Sequence, residues 1–135
     1  MIYLGIDPDV DKSGVAIWNT ETKKFKLLKA LDFFDVLALL KTKQSDMVII
    51  EAGWLIKKSN FHFAKNKIIG ERIAKNVGAN HQIGKLIEKF CIRENITYRL
   101  IKPKGKITSY QFEKLTKNKI KNQDIIDSAM LVFGY

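Results

Sequence analysis

The chain has 135 residues, enough for one hydrophobic core but too few for two lobes of ordinary size. It carries 24 Lys and Arg against 14 Asp and Glu, and the formal net charge of +10 predicts a polyanionic partner, either nucleic acid or an anionic membrane surface. No apolar run approaches the roughly 20 residues that span a bilayer, and no signal-peptide pattern is present. We therefore expect a single domain over residues 1–135, located in the cytoplasm and without a membrane segment.

The first part of the chain predicts three consecutive strands and a helix. IYLGID and GVAIW are short apolar segments separated by a polar loop that contains Pro8 and Gly14. KFKLLKAL alternates well enough to form a third strand. Residues 33–40 then have apolar side chains at helical spacing, and Asp32 is placed to cap the start of that helix.

The remainder alternates between strands and helices. MVIIE is a continuous apolar run, typical of a strand buried on both faces, and we expect it to be central. Residues 52–69 are irregular and basic, residues 71–94 predict one long helix, and ITYRLI predicts a fifth strand. A basic loop, a short helix over 110–115 and a last helix over 123–133 follow. This order predicts an α/β fold with a mixed five-stranded sheet, its first three strands antiparallel, flanked by helices.

Four acidic residues fall where this fold can bring them together. Asp7 ends the first strand, Glu51 ends the buried strand, and Asp124 and Asp127 share one face of the last helix because they are three positions apart. If the first and fourth strands are neighbours, the four carboxylates converge and repel one another unless a cation neutralises them. Oxygen ligands favour Mg²⁺, with Mn²⁺ as a substitute, and two such ions can hold and hydrolyse a phosphodiester.

Each of these acids also has a structural interpretation. An aspartate at the end of a strand often forms a turn, and Asp124 would interact favourably with the first turn of its helix. For Asp9 and Asp11 we favour the turn-forming role. For Asp7, Glu51 and the Asp124–Asp127 pair, the combined pattern favours metal binding.

Four segments resemble one protein family. GIDPDVDKSGVAI resembles the opening hairpin of the RuvC-type Holliday junction resolvases, a branch of the RNase H-like superfamily. VIIE resembles their second acidic strand, VGANHQIGKLI the start of their long helix, and DIIDSAMLV their closing helix. The four occur in the family's order and cover nearly the whole chain. Asp9 stands where the family usually has glycine, and the chain is short, like the compact versions of phages and mobile elements.

The resemblance implies an RNase H-like fold and a magnesium-dependent endonuclease that acts on branched DNA as a symmetric homodimer. It implies that Asp7, Glu51, Asp124 and Asp127 are metal ligands. It also places a basic residue, here Lys106, near the scissile phosphate. The preference among four-way junctions, forks and flaps stays open.

Two lysine-rich segments are candidate phosphate-binding surfaces. The lysines that we assign to nucleic-acid binding are Lys57, Lys58, Lys65, Lys67, Lys102, Lys104 and Lys106. Trp54 either wedges into a junction, as an aromatic near this position does in RuvC-like enzymes, or belongs to the core; both alternatives stay open. His81, in the long helix, is interpreted as a structural or surface residue.

The sequence therefore predicts a crossover junction endonuclease of DNA recombination and repair, with catalysis by Asp7, Glu51, Asp124, Asp127 and Lys106. One alternative is a YqgF-like nuclease that acts on RNA, since the 2′-hydroxyl contacts that separate RNA from DNA cannot be read from a sequence. A second is a non-catalytic nucleic-acid-binding protein of the same fold, which the four intact acids disfavour. An ATPase of the actin or sugar-kinase type ranks last, because the chain cannot supply a second lobe.

Overall fold

A computed structural model describes residues 1–56 and 67–135, with Lys67 described by its backbone only. A short 3₁₀ helix covers Gly53–Leu55. The other elements in chain order are β1 (Ile2–Asp7), β2 (Ser13–Asn19), β3 (Lys24–Leu31), α1 (Phe33–Lys41), β4 (Met47–Glu51), α2 (Lys67–Arg93), β5 (Tyr98–Ile101), α3 (Ser109–Thr116) and α4 (Gln123–Val132).

The five strands form one mixed sheet in the order β3-β2-β1-β4-β5. β2 is antiparallel to both β1 and β3, while β4 is parallel to both β1 and β5. The predicted fold class, with its antiparallel first three strands, is confirmed. β4 lies inside the sheet as expected, but the central strand is β1. The buried Val48, Ile49 and Ile50 explain the continuous apolar run, because helices cover both faces of this strand.

Local capping explains where the helices begin. The Asp32 carboxylate accepts a hydrogen bond from the Asp35 N–H at 2.8 Å, which confirms Asp32 as the cap of α1. Asn122 caps α4 in the same way. α2 begins four residues before the predicted start. The apolar Ile68 and Ile69 in that first turn are exposed, so they do not continue the apolar stripe from which the boundary was predicted.

The helices form two layers, one on each face of the sheet. α1 and α2 cover one face, where their buried side chains pack against alternate residues of β1 and β4, such as Leu4, Ile6 and Val48. α3 and α4 cover the other face, around Ile49, Phe112 and Ile126. No helix in the part of the chain that the structure describes is long and apolar enough to cross a membrane.

α4 lies directly on the β1–β2 hairpin because two glycines allow it to approach. A methyl group at Gly5 would overlap the carbonyl of Ser128, and one at Gly14 would overlap the carbonyl of Asp124. Both contacts are therefore open only to residues without a side chain. This close contact brings the acidic start of α4 to the end of β1, where Asp7 lies.

Candidate active site

Strand register places the first two acids side by side. Ile6 and Ile50 are paired in the parallel β1–β4 ladder, so the residues that follow them, Asp7 and Glu51, end neighbouring strands at the same edge. α4 adds Asp127, and one carboxylate oxygen from each of the three acids lies within 4.8 Å of the others. A set of three converging carboxylates fits a hard divalent cation such as Mg²⁺.

Asp124 lies next to this group of three rather than within it. It lies one turn of α4 before Asp127, and its charge helps to raise the pKa of Asp7. The structure thus brings all four predicted acids to one site, with three in direct ligand geometry. Their roles as metal ligands and catalytic residues stay predictions.

Without a cation, the carboxylates of the cluster repel one another. Burial, followed by repulsion from Glu51, Asp124 and Asp127, raises the pKa of Asp7 from 3.8 to about 9. Burial and the charge of Asp127 also raise the pKa of Glu51. Burial and the charge of Asp9 raise the pKa of Asp124. At neutral pH the cluster therefore retains a proton, which a bound cation would displace.

Asp127 is held by two neighbours of different kinds. Its Oδ1 accepts a 2.7 Å hydrogen bond from Gln123 Nε2, which also donates to the Ile107 carbonyl at 3.2 Å. Its buried Oδ2 accepts no hydrogen bond of good geometry from the described residues, although Lys106 Nζ lies 3.2 Å away. Burial alone would lower the pKa of Lys106, but Asp127 and the other acids raise it. Gln123 was not predicted as a site residue, although its spacing of four from Asp127 on one helix is a usable signal.

Hydrogen bonds connect the loop after Asp7 to α2. Asp9 Oδ1 accepts hydrogen bonds from the N–H groups of Asp11 and Lys12 at 2.8 and 3.4 Å, which confirms Asp9 as a turn-forming residue. Asn80 Oδ1 accepts from the Val10 N–H at 2.8 Å, and Asn80 Nδ2 donates to Asp9 Oδ2 at 3.4 Å. Asn80 was not predicted as a site residue, because a position in the middle of a helix contains no local signal of this contact.

A cleft opens beside the acids, between the sheet edge and α2. It is lined by Asp7, Pro8, Glu51, Gly53, Trp54, Val77, Asn80, His81 and Pro103. The Trp54 ring is half-buried and lies across Gly84 of α2, where a methyl group would overlap it, and it also packs against the edge of the core. Trp54 is thus neither fully buried nor free in solvent. Its role as a wedge stays a prediction.

The predicted basic residues divide into two groups. Lys102, Lys104 and Lys106 are exposed and follow β5, whose Ile101 pairs with Glu51, so this lysine segment begins at the edge of the sheet that bears the acids. Lys57, Lys58 and Lys65 lie outside the described residues, as does the side chain of Lys67. Binding by either group stays a prediction.

Comparison with known proteins relates the fold to that of resolvases. No protein-family model and no curated protein matches the sequence. The solved structures of similar fold include Thermus thermophilus RuvC in complex with a Holliday junction substrate, at 12% identity and a TM-score of 0.61, over 98% of this chain and 91% of that one. They also include the fowlpox virus Holliday junction resolvase, at 20% identity and a TM-score of 0.59, over 97% and 94%. The expected RuvC-type, RNase H-like fold is confirmed, and the chain combines this fold with three converging carboxylates that could hold a metal ion.

Proposed function

We propose that this protein is a metal-dependent endonuclease that hydrolyses phosphodiester bonds in branched DNA, with four-way junctions as the first substrate and forks and flaps as further ones. The observation that carries the proposal is the convergence of Asp7, Glu51 and Asp127 within 4.8 Å, at the carboxyl ends of adjacent strands. Support also comes from the fold, which it shares with a fowlpox virus resolvase solved with Holliday junction DNA.

Asp7, Glu51 and Asp127 would hold the cation, with Asp124 joining them, and Mg²⁺ or Mn²⁺ fits their oxygen ligands. When bound in pairs, such ions activate a water and stabilise the leaving oxygen of a phosphodiester. The protein's own residues prepare the site for this chemistry. Gln123 fixes the orientation of Asp127, and Lys106 contributes a positive charge that we assign to the scissile phosphate.

Substrate binding would rely on positive charge beside the site. Lys102 and Lys104 extend the basic surface from Lys106, and we include Lys57, Lys58, Lys65 and Lys67 on the basis of sequence. Contacts with phosphates release counterions, so the affinity should fall steeply with salt. A homodimer would provide two sites for paired nicks in a two-fold symmetric junction. We place this activity in the cytoplasm, in DNA recombination and repair.

The test is an incubation with synthetic four-way junctions, forks, linear duplex DNA and RNA in Mg²⁺, Mn²⁺ or EDTA. We compare the wild type with Glu51→Gln and with Glu113→Gln, a matched change at an exposed acid on α3. Loss of a cation ligand should slow nicking roughly 100-fold or more, at least about 2.7 kcal/mol of transition-state stabilisation, while junction binding persists. Glu113→Gln should behave as the wild type.

Three outcomes would contradict the proposal in different ways. Near-normal nicking by Glu51→Gln would remove the catalytic assignment. Cleavage of RNA alone would indicate an RNA-directed nuclease, and binding of branched DNA without cleavage under any of these metals would indicate a non-catalytic binding protein.

A further inference from the structure

The cleft beside the acids contains an imidazole ring that has no hydrogen-bond partner within residues 1–56 and 67–135. His81, on α2, meets the Trp54 ring edge-on, with ring centroids 6.2 Å apart and an interplanar angle of 68°. Among the described residues, no hydrogen bond reaches either of its ring nitrogens. Its Nε2 faces Gly53, where a methyl group would come within 2.6 Å of it. The backbone after β4 thus approaches this ring closely, and a side chain at position 53 would disturb it.

The size and walls of the cleft suit a flat ring. Its volume of about 140 Å³ is about ten times the roughly 10–15 Å³ that a single water requires. Pro8, Trp54, Val77 and Pro103 provide apolar wall surface, which can contact the face of a nucleobase. Pocket walls of this kind with a few polar groups are typical of small-ligand sites.

The polar groups of the cleft differ in availability. The amide of Asn80 is engaged at both ends, with the Val10 N–H and with Asp9. Burial and the nearby charge of Lys85 lower the pKa of His81, which favours its neutral imidazole. A neutral imidazole offers one donor and one acceptor, which matches the edge of a base better than it matches a phosphate.

The cleft that contains His81 adjoins the acidic cluster where the phosphodiester would bind. Asp7 and Glu51 belong both to the cleft lining and to the acidic cluster. A phosphodiester held at the acids would therefore bring the neighbouring nucleotide to the mouth of the cleft.

We propose that the cleft receives the unstacked base of the nucleotide next to the scissile phosphate and that His81 hydrogen-bonds to the edge of this base. His81 is then a specificity-determining residue for the cut site rather than a structural or surface residue. The inference rests on the proposed function, because it takes the acids as the site of phosphodiester hydrolysis.

The first experiment measures cut-site preference. A library of four-way junctions with randomised bases around the branch point is nicked in Mg²⁺, and the products are sequenced. We compare the wild type with His81→Ala, with His81→Phe, which keeps a ring but no hydrogen bond, and with Gln82→Ala, an exposed neighbour on α2. In both His81 variants, the preference for one base at a position adjoining the cut should fall about 3- to 10-fold. Gln82→Ala should retain it, and an unchanged preference in both His81 variants would overturn the proposal.

A second experiment does not require cleavage. Ring signals of the two histidines are followed by NMR while short single-stranded DNA is added in Ca²⁺, and the His81 signal is assigned by its absence in His81→Phe. The His81 signal should shift on binding, and an unchanged signal with bound DNA would overturn the proposal. A shift without nicking of any substrate would support the base pocket while contradicting the endonuclease. A protein that binds no nucleic acid would overturn both.

Discussion

The ammonium group of Lys106 lies 3.2 Å from a carboxylate oxygen of Asp127, and the two partners differ sharply in exposure: 66% of the Lys106 side chain is accessible, against 9% for Asp127. The buried acid is fixed by Gln123, whereas the lysine stands on a segment open to solvent. The ammonium group of Lys106 is therefore open to an approaching phosphate, whereas the Asp127 carboxylate is shielded. This difference in exposure motivates a test of Lys106 at the reacting phosphate, a role that stays a prediction.

Replacing Lys106 should affect the rate more than the binding. We expect Lys106→Ala to lower the single-turnover nicking rate about 100-fold, because a positive charge directed at the reacting phosphate is lost. Lys104→Ala, a matched change at an exposed lysine two residues away, should weaken junction binding and reduce its salt dependence, with little effect on the rate of bound substrate. Equal rates for the two variants would contradict a special role for Lys106.

The acidic cluster should make the metal-free protein sensitive to alkali. The pKa of Asp7 is raised to about 9, above its ordinary value of 3.8, so the neutral carboxyl favours the folded state. This stabilisation is complete below about pH 4 and is lost as the pH rises through about 9. The Tm in EDTA should therefore fall between pH 6 and pH 9.

Asp7→Asn keeps a hydrogen-bond donor but removes this titration, so its Tm should depend less on pH and exceed that of the wild type at pH 9. Added Mg²⁺ should raise the Tm of the wild type at pH 8 and have a smaller effect on the variant. Asp11→Asn, at an exposed acid of the same loop, serves as the control. A wild-type Tm that rises with pH in EDTA would be incompatible with the repulsion described above.

Trp54 can be tested for both of its open roles on one preparation. Because the ring is half-buried against Gly84, Trp54→Ala should cost less than the roughly 3–5 kcal/mol typical of a fully buried aromatic, the loss expected for Trp18→Ala in the core. If Trp54 also stacks on unpaired bases, junction cleavage should fall about tenfold while duplex binding is unchanged. Thermal melting and junction cleavage are measured together, and no change in either would exclude both roles.

Sedimentation should show a homodimer. The exposed apolar side chains on α2 include Ile73, Leu86 and Ile92, and we test the first of them as part of a candidate subunit interface. We expect Ile73→Lys to shift the protein toward the monomer, whereas Tyr110→Lys, at an exposed residue of α3, should not. A wild-type monomer that stays monomeric on a junction would contradict the paired-nick mechanism.

Strand periodicity was sufficient to predict that Asp7 and Glu51 each end a strand, because alternation and continuous apolar runs are local properties. That these two strands are neighbours was a condition of the predicted site, and the β1–β4 pairing fulfils it. The contacts of Asn80 and His81 could not be predicted in this way. Asn80 bonds to a backbone group 70 positions away, and the approach of Gly53 to His81 depends on how α2 crosses the sheet.

The start of β5 is another feature that the local sequence pattern did not predict. Residues 96–101 continue one apolar pattern, yet the strand begins only at Tyr98. The Ile96 N–H instead hydrogen-bonds to the Cys91 carbonyl at 2.8 Å and closes the end of α2, after Asn95 has taken a positive φ of 55°. The amino-acid sequence around Ile96 does not indicate whether its N–H will bond to the end of α2 or to a neighbouring strand.

Gly5 and Gly14 set the minimum distance between the helix that bears Asp124 and the strand that bears Asp7. Both contacts end on backbone carbonyls, so rotating a side chain cannot adjust this spacing. A side chain added at either glycine would therefore have to lift the start of α4 from the hairpin. Asp124 and Asp127 would then move away from Asp7 together, so the two glycines are as necessary to the acidic cluster as the acids themselves.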